Sequence, residues 1–307
     1  MLTIILKQKN MSSQVEMVFW DVQHGHATYI KTPNNKHIVI DLGIGDYSGR
    51  NTSFSPLLHL KNNYGVQQLD YVIITHPHLD HIDDILNFDA LKPKVLHRPK
   101  QITNAEVMQE ENDVITFRNQ DKPKFEKYCD INDRYNQPIG GGTDDPDNPD
   151  NFGAMKILSF TPTTCSHDNF NNHSIVTVVE YAGIKVVIPG DNEACSFEEL
   201  MKRDTFKTAV KDADILLAPH HGRENGYNND FVNLVNPRLT VVSDGRFCDT
   251  SANGRYSQKS RGWTVFKGNG TSSERKCLTT NSDGEIYVSF GTSSDTNFKN
   301  FLHVRTS

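Results

Sequence analysis

The amino-acid sequence predicts an α/β fold in which two β-sheets pack face to face and helices cover their outer surfaces. Three observations indicate this fold. Strand-type and helix-type patterns alternate in both halves of the chain, the apolar runs have the length of strands, and no repeat of 20–50 residues is visible. In such a fold, functional residues are expected at the ends of the strands.

The first half is predicted to open as an antiparallel meander, since three β-rich runs are separated only by short turn-like segments. A Gly- and Ser-containing loop follows over residues 43–53, and then leucines at helical spacing stop before Gly65. The apolar run at 71–74 is bounded by polar residues, as a strand buried on both faces is. The predicted elements are strands 15–20, 27–31, 37–41, 71–74 and 94–97 and helices 54–64, 82–88 and 104–111.

The second half repeats the alternation after an irregular, polar insertion at about residues 98–153. Within the insertion, residues 140–151 are rich in Gly, Asp, Pro and Asn, which favours a solvated loop over an acidic calcium site without EF-hand spacing. A hairpin turn is predicted at 281–284. The predicted elements are strands 156–160, 174–181, 184–188, 215–218, 239–242, 276–279 and 285–290 and helices 193–203, 230–235 and 261–267. We expect one domain over residues 1–307 that carries this insertion.

Composition indicates a soluble globular protein. The 307 residues include 36% apolar residues and carry a formal charge of −6, and no apolar run reaches the ~20 residues of a membrane span. The five cysteines are scattered and form no CxxC pair, which argues against a disulfide framework and a thiolate zinc cluster. We therefore expect a cytoplasmic protein without a membrane partner, and the negative charge disfavours broad, non-specific capture of nucleic acid.

Histidines provide the strongest functional signal. Nine of the 13 fall into four short clusters, which are His24/His26, His76/His78/His81, His167/His173 and His220/His221. The second cluster reads His-Pro-His-Leu-Asp-His and places four candidate metal ligands within six residues, directly after a predicted buried strand. Chance rarely produces this HxHxDH pattern, so the sequence predicts a metal site.

One such loop can hold two ions. His76 and His78, two positions apart on extended backbone, can turn toward one ion, while Asp80 and His81 on the next turn can reach a second. Imidazole with carboxylate suits zinc, and also manganese when carboxylate and water complete the shell. Two ions about 3.5–4 Å apart can hold a hydroxide and stabilise an in-line displacement. Hydrolysis with two divalent ions, Zn or Mn, is the predicted chemistry.

Several further segments resemble one family. They are residues 19–27 (FWDVQHGHA), 38–43 (IVIDLG), the HxHxDH run, 171–174 (NNHS), 189–191 (PGD), 218–222 (APHHG) and 279–288 (TTNSDGEIYV). Over most of its length the chain resembles metallo-β-lactamase-fold hydrolases, and in particular the hydrolase domain of the ComEC/Rec2 competence proteins. That resemblance implies an αββα sandwich with the site at one edge.

The resemblance also implies a ligand set. His76 and His78 would bind the first metal, Asp80, His81 and His220 the second, and Asp191 would bridge the two; Asp80 also counts among the catalytic residues. Asp191 independently follows an apolar strand, with a helix N-cap as its alternative role. Two adjacent histidines cannot face the same way. We therefore expect His220 to bind metal and His221 to contact phosphate or donate a proton, and the reverse assignment stays open.

Five further residues complete the predicted site. His173 stands where the family supplies another histidine and is expected to bind the first metal, with His167 as the weaker alternative. Asp41 is expected to contact the metal-binding histidines and orient them without binding metal itself. His24 and His26 stand where the family has acidic and small residues, so either can orient the leaving group or act as a general acid. A turn histidine bonded to backbone is the alternative for both.

Basic residues indicate how an anionic substrate would bind. Arg255 and Lys259 form a local basic run with Arg261, and Arg223 follows the histidine pair. We expect Arg223, Arg255 and Lys259 to contact phosphate or a nucleic-acid backbone. A solvated surface is the alternative for the basic run.

These features predict a two-metal phosphodiester hydrolase that uses a metal-bound hydroxide. A nuclease is favoured, with DNA as the substrate that the resemblance implies. Since no membrane channel is predicted, we expect a stand-alone enzyme or one directed by a protein partner. The alternatives are a small-molecule phosphodiesterase, for example on cyclic nucleotides with the insertion as a lid, and a non-catalytic regulatory subunit.

Overall fold

The computed structural model describes residues 14–45, 54–113, 120–245, 251–295 and 298–307. Within these ranges two mixed β-sheets pack face to face, and helices lie on both outer surfaces. The predicted αββα arrangement is therefore confirmed. In the same ranges, no helix combines the length and the apolar character that a membrane span requires.

The strands form two sheets. They are β1 (Gln14–Phe19), β2 (Thr28–Lys31), β3 (His37–Ile40), β4 (Tyr71–Ile73), β5 (Val95–His97), β6 (Lys156–Phe160), β7 (Val176–Tyr181), β8 (Ile184–Ile188), β9 (Ile215–Leu217), β10 (Leu239–Val242), β11 (Trp263–Phe266), β12 (Ser272–Arg275), β13 (Cys277–Thr279), β14 (Ile286–Thr292) and β15 (Asn300–Thr306). The first sheet has the order β12-β11-β15-β14-β1-β2-β3-β4-β5, and the second has the order β13-β10-β9-β8-β7-β6.

The helices are short, and several connections are 3-10 turns. The α-helices are α1 (Pro56–Asn62), α2 (Leu79–Ile82), α3 (Asn104–Asp113), α4 (Lys122–Arg134), α5 (Ala194–Leu200), α6 (Asp204–Val210), α7 (Asn229–Val235), α8 (Asn253–Lys259) and α9 (Thr280–Asp283). The 3-10 helices are Ile85–Leu91, Pro149–Phe152, Phe170–His173, Pro219–Gly222 and Glu224–Gly226.

Three apolar layers hold the architecture together. Between the sheets, side chains such as Phe19 are fully buried. Outside the first sheet, Trp20 belongs to a buried cluster with residues of α1 and α4. Outside the second sheet, Phe197 of α5 stacks on Phe231 of α7 with 4.4 Å between ring centroids. Burial of each such side chain contributes roughly 1.5–3 kcal/mol, so both helical layers are anchored to their sheets.

One edge of the sandwich brings loops of both sheets together. Strands β3, β4 and β5 are parallel in the first sheet, and β8, β9 and β10 are parallel in the second. The Ile175 N–H, just before β7, donates to the Thr75 carbonyl, just after β4, at 3.0 Å. The His220 N–H, after β9, donates to the Gly190 carbonyl, after β8, at 3.2 Å. We call this the convergent edge.

The C-terminal region differs from the prediction. Residues 261–267, predicted as a helix, contain strand β11, whose Trp-Thr-Val-Phe sequence combines the aromatic and β-branched residues that fit a sheet. The predicted hairpin at 281–284 is also wrong. Strand β13 pairs with β10 in the second sheet, whereas β14 pairs with β1 in the first. The Thr279 side chain caps α9 between them, so the turn composition there serves a short helix.

The insertion is more regular than predicted. Helix α4 spans 13 residues and buries Phe125, Tyr128 and Ile131. Spacing by three residues marks one helix face, but the charged residues between them obscure it in the sequence. Residues 140–151 are mostly exposed turns, in agreement with the prediction. Helices α6 and α8 and strands β12 and β15 are absent from the prediction.

Cysteine pairing also differs from the prediction. Cys165 and Cys195 form a disulfide with Cα atoms 6.1 Å apart, whereas Cys129 and Cys277 are free; Cys248 lies outside the described residues. The disulfide ties the loop before Phe170–His173 to α5, next to the convergent edge. The sequence separation of 30 residues gives no local signal for this pairing. Cysteine usage therefore no longer supports a reducing compartment.

Replacing one disulfide partner, as in Cys165→Ser or Cys195→Ser, should lower the free energy of unfolding by about 3 kcal/mol, because the cross-link restricts the unfolded chain. Denaturant unfolding under non-reducing conditions measures the change. Cys129→Ser is the matched control and should leave stability within about 0.5 kcal/mol of the parent. Equal stability of all the variants would contradict the disulfide.

Candidate metal centre

The HxHxDH loop leaves β4 and enters α2 at the convergent edge. His76 and His81 are fully buried there. His78 lies at the start of α2, and its ring stacks on Phe170 with 5.9 Å between centroids. The strand end thus directs several imidazoles into one small volume, which the spacing of the motif predicts.

Four side chains from three loops, which we call the four-donor group, converge at this edge: Asp80, His81, Asp191 and His221. Their ligand atoms all lie within 4.8 Å of one another. His221 Nε2 is 3.1 Å from Asp80 Oδ2 and 3.2 Å from Asp191 Oδ2. His81 Nε2 is 3.3 Å from Asp191 Oδ1. Two carboxylates and two imidazoles so close together fit a divalent ion such as zinc or manganese.

The charges in this group also fit a cation site. Burial would lower the pKa of His221, but the Asp191 and Asp80 carboxylates raise that pKa to about 10. Burial would likewise lower the pKa of His81, but Asp191, Asp41 and Asp80 hold it well above its ordinary value. Burial would raise the pKa of Asp191, but His221 and His81 hold it well below its usual range. In the metal-free protein, protons therefore supply the positive charge that these buried carboxylates require.

Asp41 lies behind the four-donor group. It is fully buried, and its Oδ2 accepts hydrogen bonds from His81 Nδ1 at 2.8 Å and from the Thr75 hydroxyl at 2.8 Å. Its Oδ1 accepts from the Thr75 N–H at 2.7 Å. Because Nδ1 of His81 is engaged in this way, Nε2 is the nitrogen that faces the other donors. Metal-binding histidines commonly have such a carboxylate behind the ring.

A looser set of donors lies on the other side of Asp191. His76 Nε2 and His78 Nδ1 are 2.9 Å apart, and His76 Nε2 is 4.0 Å from Asp191 Oδ2. Burial and the neighbouring His81 and His78 hold the pKa of His76 well below its ordinary value, so this ring is neutral. Asp191 belongs to the four-donor group, and its Oδ2 is also the carboxylate oxygen that lies 4.0 Å from His76 Nε2.

The two adjacent histidines are oriented differently from the prediction, and it is His221 that the structure places among the donors. His221, and not His220, completes the four-donor group, since its Nδ1 donates to the Ser243 carbonyl at 2.9 Å and its Nε2 faces the other donors. His220 Nε2 lies 3.9 Å from Asp191 Oδ2, and its Nδ1 lies 3.1 Å from Glu193 Oε1. Both histidines have left-handed φ values, 46° and 52°. This tight turn sets the two ring directions, and composition alone does not reveal it.

His173 does not join the metal donors, which corrects its predicted role as a ligand. Its Nε2 donates to the Ser166 carbonyl at 3.1 Å, and its Nδ1 lies 3.4 Å from Gln101 Nε2. Its ring packs against His167 with 4.7 Å between centroids, and His167 in turn contacts Glu106 of α3 at 2.7 Å. The short helix that carries His173 therefore turns its ring toward the insertion, so neither His173 nor His167 faces the centre.

The turn between β1 and β2 places its two histidines differently. His26 is buried, with Nδ1 3.0 Å from Asp41 Oδ2 and Nε2 2.7 Å from Thr28 Oγ1, so it supports the centre from inside. This placement corrects its predicted contact with substrate. The His24 side chain is 40% exposed, and its Nε2 lies 3.3 Å from Asp80 Oδ2. Partial burial lowers the pKa of His24 to about 4, so the ring is neutral at pH 7.

Gly25 holds this turn against the HxHxDH loop. A Cβ at this position would lie 2.4 Å from the Asp80 carbonyl oxygen, and φ is +128°. The His26 N–H donates to the same carbonyl at 3.2 Å. Glycine alone permits this approach and this backbone conformation, so the opening segment positions the Asp80 backbone.

Among the predicted substrate-binding residues, Arg223 lies beside the centre, with Nη1 3.2 Å from His220 Nε2. The other two contact neighbouring segments: Arg255 pairs with Glu224 and lies over the Tyr227 ring, and Lys259 donates to Asn233. Of the three, Arg223 therefore lies next to a histidine of the site, whereas Arg255 and Lys259 contact neighbouring residues of the protein surface.

Sequence reasoning assigned no role to three residues that contact the centre. Glu193 faces His220, the Ser174 hydroxyl accepts from the Asp191 N–H at 3.0 Å, and Thr75 bonds to Asp41. Each of the three lies within two residues of a motif histidine or aspartate in the sequence. Their position next to these motif residues is the sequence signal that could have identified them as part of the site.

Metal binding should release protons near pH 7.5. His81 and His221 hold protons in the metal-free protein, because their pKa values are raised, and only neutral imidazole binds metal. The apparent metal affinity should therefore increase with pH until these groups are deprotonated. We expect release of about two protons per ion bound at the four-donor group. Titration calorimetry in buffers of different ionisation enthalpy measures this number. His221→Ala should release about one proton fewer, and an unchanged number would contradict the assignment.

Asp41→Asn should weaken metal binding about 10–100-fold, because a neutral amide orients the His81 ring less firmly than the carboxylate does. Competition with a chromogenic chelator measures the affinity. Asp89→Asn is the matched control, since Asp89 is half-exposed and pairs with Arg134. Equal metal affinity of Asp41→Asn and the parent would show that Asp41 does not orient the donors.

Comparison with known proteins places these features in a family. Residues 20–243 match the metallo-beta-lactamase superfamily. The chain is 25% identical over 256 residues to ComE operon protein 3 of Bacillus subtilis (strain 168), an alignment that covers 77% of this chain and 29% of that protein. It is 36% identical over 70 residues to a UPF0173 metal-dependent hydrolase of Saccharolobus solfataricus, covering 23% of this chain and 27% of that protein.

Among solved structures, the metallo-beta-lactamase fold protein YhfI from Bacillus subtilis aligns with a TM-score of 0.39 and 13% identity, covering 77% of this chain and 88% of that chain. The chain spans less than a third of either curated relative. The superfamily match, in contrast, extends over more than half of the chain and includes the HxHxDH loop, Asp191 and His221. The chain belongs to the metallo-beta-lactamase superfamily.

Proposed function

We propose that this protein is a metal-dependent hydrolase of phosphodiester bonds, and specifically a nuclease with DNA as the favoured substrate. The observation that carries the proposal is the four-donor group, together with the Arg223 guanidinium that contacts the neighbouring His220. Buried carboxylates and imidazoles provide a site for a divalent cation, and Arg223 provides a planar donor that suits a phosphate.

The donor chemistry fits two divalent ions, zinc or manganese. Asp80, His81, Asp191 and His221 would hold one ion. The neighbouring His76 and His78, whose Nε2 and Nδ1 atoms lie 2.9 Å apart, would contribute ligands to the other. When bound, such ions stabilise the negative charge that develops on phosphoryl oxygens and lower the pKa of water.

The residues of the chain would orient the metal-binding histidines and bind the substrate. Asp41 and the Ser243 carbonyl fix the rings of His81 and His221, so little reorganisation is needed when charge develops. Arg223 would contact a phosphate oxygen of the substrate. His24 lies at the rim and is neutral at pH 7, so it would accept or donate one hydrogen bond there and would not act as a charged acid.

DNA is favoured because the motif resemblance to the competence-protein hydrolase domain agrees with the similarity to ComE operon protein 3. Membership of that subfamily, a cytoplasmic location and a directing protein partner belong to this proposal. The net charge of −6 includes the carboxylates of the centre, so it does not oppose an anionic substrate that binds next to cations.

A small-molecule phosphodiesterase is the second candidate, because residues of the insertion line an open pocket beside β5 and β6. About 520 Å³ lie between β5, β6 and the insertion, and the lining includes Tyr71, Arg98, Lys100 and Asp147. This volume falls in the range of small-ligand pockets. The basic side chains suit phosphate.

A substrate panel distinguishes these candidates. Single- and double-stranded DNA, RNA, cyclic nucleotides and a generic phosphodiester are incubated with Zn²⁺ or Mn²⁺ and the parent protein, Asp80→Ala or Asp89→Asn. We expect the parent and Asp89→Asn to cleave DNA, and Asp80→Ala to lose about 1,000-fold or more in kcat/KM, since loss of a ligand removes several kcal/mol of stabilisation. Cleavage of small diesters alone would contradict the nuclease. A protein that binds metal but cleaves none of these substrates would contradict the proposed phosphodiester hydrolase and favour the regulatory subunit.

Arg223→Ala should raise KM for the cleaved substrate about tenfold, because a charge-assisted contact contributes roughly 1.5 kcal/mol. Arg255→Ala is the matched control, because Arg255 is engaged with Glu224 and Tyr227. Steady-state kinetics of both variants measure the effect. A larger effect for Arg255→Ala than for Arg223→Ala would show that substrate lies along the basic run of α8.

A further inference from the structure

A buried hydroxyl group connects the two sheets behind the four-donor group. It belongs to Ser243, which follows β10 of the second sheet. Its Oγ donates to the Gly25 carbonyl at 2.7 Å, and Gly25 lies in the turn between β1 and β2 of the first sheet. The two residues are 218 positions apart in the chain. One side chain therefore ties together segments that are remote in the sequence.

The backbone of Ser243 holds a histidine of the four-donor group. The Ser243 carbonyl accepts a hydrogen bond from His221 Nδ1 at 2.9 Å, and His221 Nε2 then faces the other donors. An oxygen behind an imidazole in this way sets the orientation of the ring. Because the hydroxyl and the carbonyl belong to one residue, a displacement of Ser243 would move the His221 ring with it.

One peptide group carries the contact from Ser243 to the HxHxDH loop. The carbonyl between Gly25 and His26 accepts from the Ser243 hydroxyl, and the N–H of the same peptide group donates to the Asp80 carbonyl at 3.2 Å. A Cβ on Gly25 would lie 2.4 Å from that Asp80 oxygen. The turn and the Asp80 backbone are therefore in direct contact, and neither can move far without the other.

These contacts form a closed ring that begins and ends at Asp80. From the Asp80 carbonyl it passes through the peptide group between Gly25 and His26. It continues through the hydroxyl and the carbonyl of Ser243 to the His221 imidazole. It closes where His221 Nε2 lies 3.1 Å from Asp80 Oδ2. Since a satisfied polar network of this kind is rigid, the ring sets the separation of two donors that follow strands of different sheets.

A second close approach holds the same two segments together. Gly245 lies two residues after Ser243, and a Cβ on Gly245 would lie 2.7 Å from the His24 nitrogen and 3.0 Å from the Gln23 carbonyl carbon. A larger residue would require the backbone to shift. The loop after β10 therefore meets the turn at two points, the Ser243 hydroxyl and the Gly245 backbone.

We propose that Ser243 is a positioning residue of the metal centre, and that its hydroxyl bond to Gly25 sets the separation of Asp80 and His221. The turn between β1 and β2 and the loop after β10 then orient the donors as one unit. His24 belongs to this unit, since its ring centroid lies 4.9 Å from that of His221. The inference rests on the proposed metal-dependent function, and it gives Ser243 no direct contact with metal or substrate.

The metal affinities of two matched serine variants test the inference. Ser243→Ala should bind the ion of the four-donor group about 10-fold less tightly or worse, because loss of an outer contact disturbs the ligands. Ser260→Ala is the matched control, since Ser260 is equally buried and its hydroxyl donates to the Tyr256 carbonyl at 3.0 Å. Both variants should lose melting temperature to a similar extent, but Ser260→Ala should keep the parental affinity. Competition of the full-length protein with a chromogenic chelator measures the affinity for Zn²⁺.

The visible absorption of bound Co²⁺ separates positioning from a general loss of stability. These bands depend on the coordination geometry, so they should change in Ser243→Ala and stay parental in Ser260→Ala. Ser243→Thr retains a hydroxyl and should recover the affinity and the spectrum. Gly245→Ala disturbs the same contact without removing a hydrogen-bonding group and should also weaken metal binding. Circular dichroism checks the folding of each variant, and if Ser243→Ala does not fold, Gly245→Ala takes its place.

Parental affinity and an unchanged Co²⁺ spectrum in Ser243→Ala would overturn the inference. An equal loss of affinity in Ser260→Ala would overturn it as well, because the effect would then follow from lower stability alone. The outcome is independent of the substrate panel. If Ser243→Ala binds metal more weakly, Ser260→Ala matches the parent and no phosphodiester is cleaved, the positioning role stands and the proposed function fails.

Discussion

The buried carboxylate of Asp41 is the interaction on which the centre depends. It follows β3 in a left-handed conformation with φ of 59°, and its N–H donates to the Ile73 carbonyl of β4 at 2.8 Å. Its two oxygens then hold the Thr75 backbone, the His81 ring and the His26 ring. Burial would raise the pKa of Asp41, but the charge of His81 and the bonds from His26 and His81 hold it well below its usual range. One anion therefore fixes the end of β4, the start of α2 and the first turn of the chain.

Charge balance explains why a cation belongs here. Asp41, Asp80 and Asp191 face the two raised-pKa histidines, His81 and His221, so carboxylates outnumber imidazolium groups in the metal-free centre. Removing such charges from water costs several kcal/mol for each ion, and packing alone does not compensate for it. A divalent ion replaces the protons and supplies the missing positive charge.

The sequence predicts which elements form this centre better than it predicts the directions of the side chains within it. The alternation of strands and helices, the strand ends at Asp41 and Thr75, and the HxHxDH loop depend on local patterns, and the structure contains them. Ring directions do not depend on local patterns. The left-handed turn that separates His220 from His221, the 3-10 helix that turns His173 away, and the Cys165–Cys195 pairing arise from contacts between distant segments. The separation of β13 and β14 into different sheets has the same origin, since pairing partners lie far apart in the chain.

Anomalous X-ray diffraction from crystals of the metal-loaded protein tests the central claim most directly, because it locates ions without reference to any substrate. The account predicts a strong anomalous peak among Asp80, His81, Asp191 and His221, bonded to the Nε2 atoms of both histidines. A metal-loaded crystal with no peak among these four residues, or with its peak at the His167–His173 pair, would contradict it.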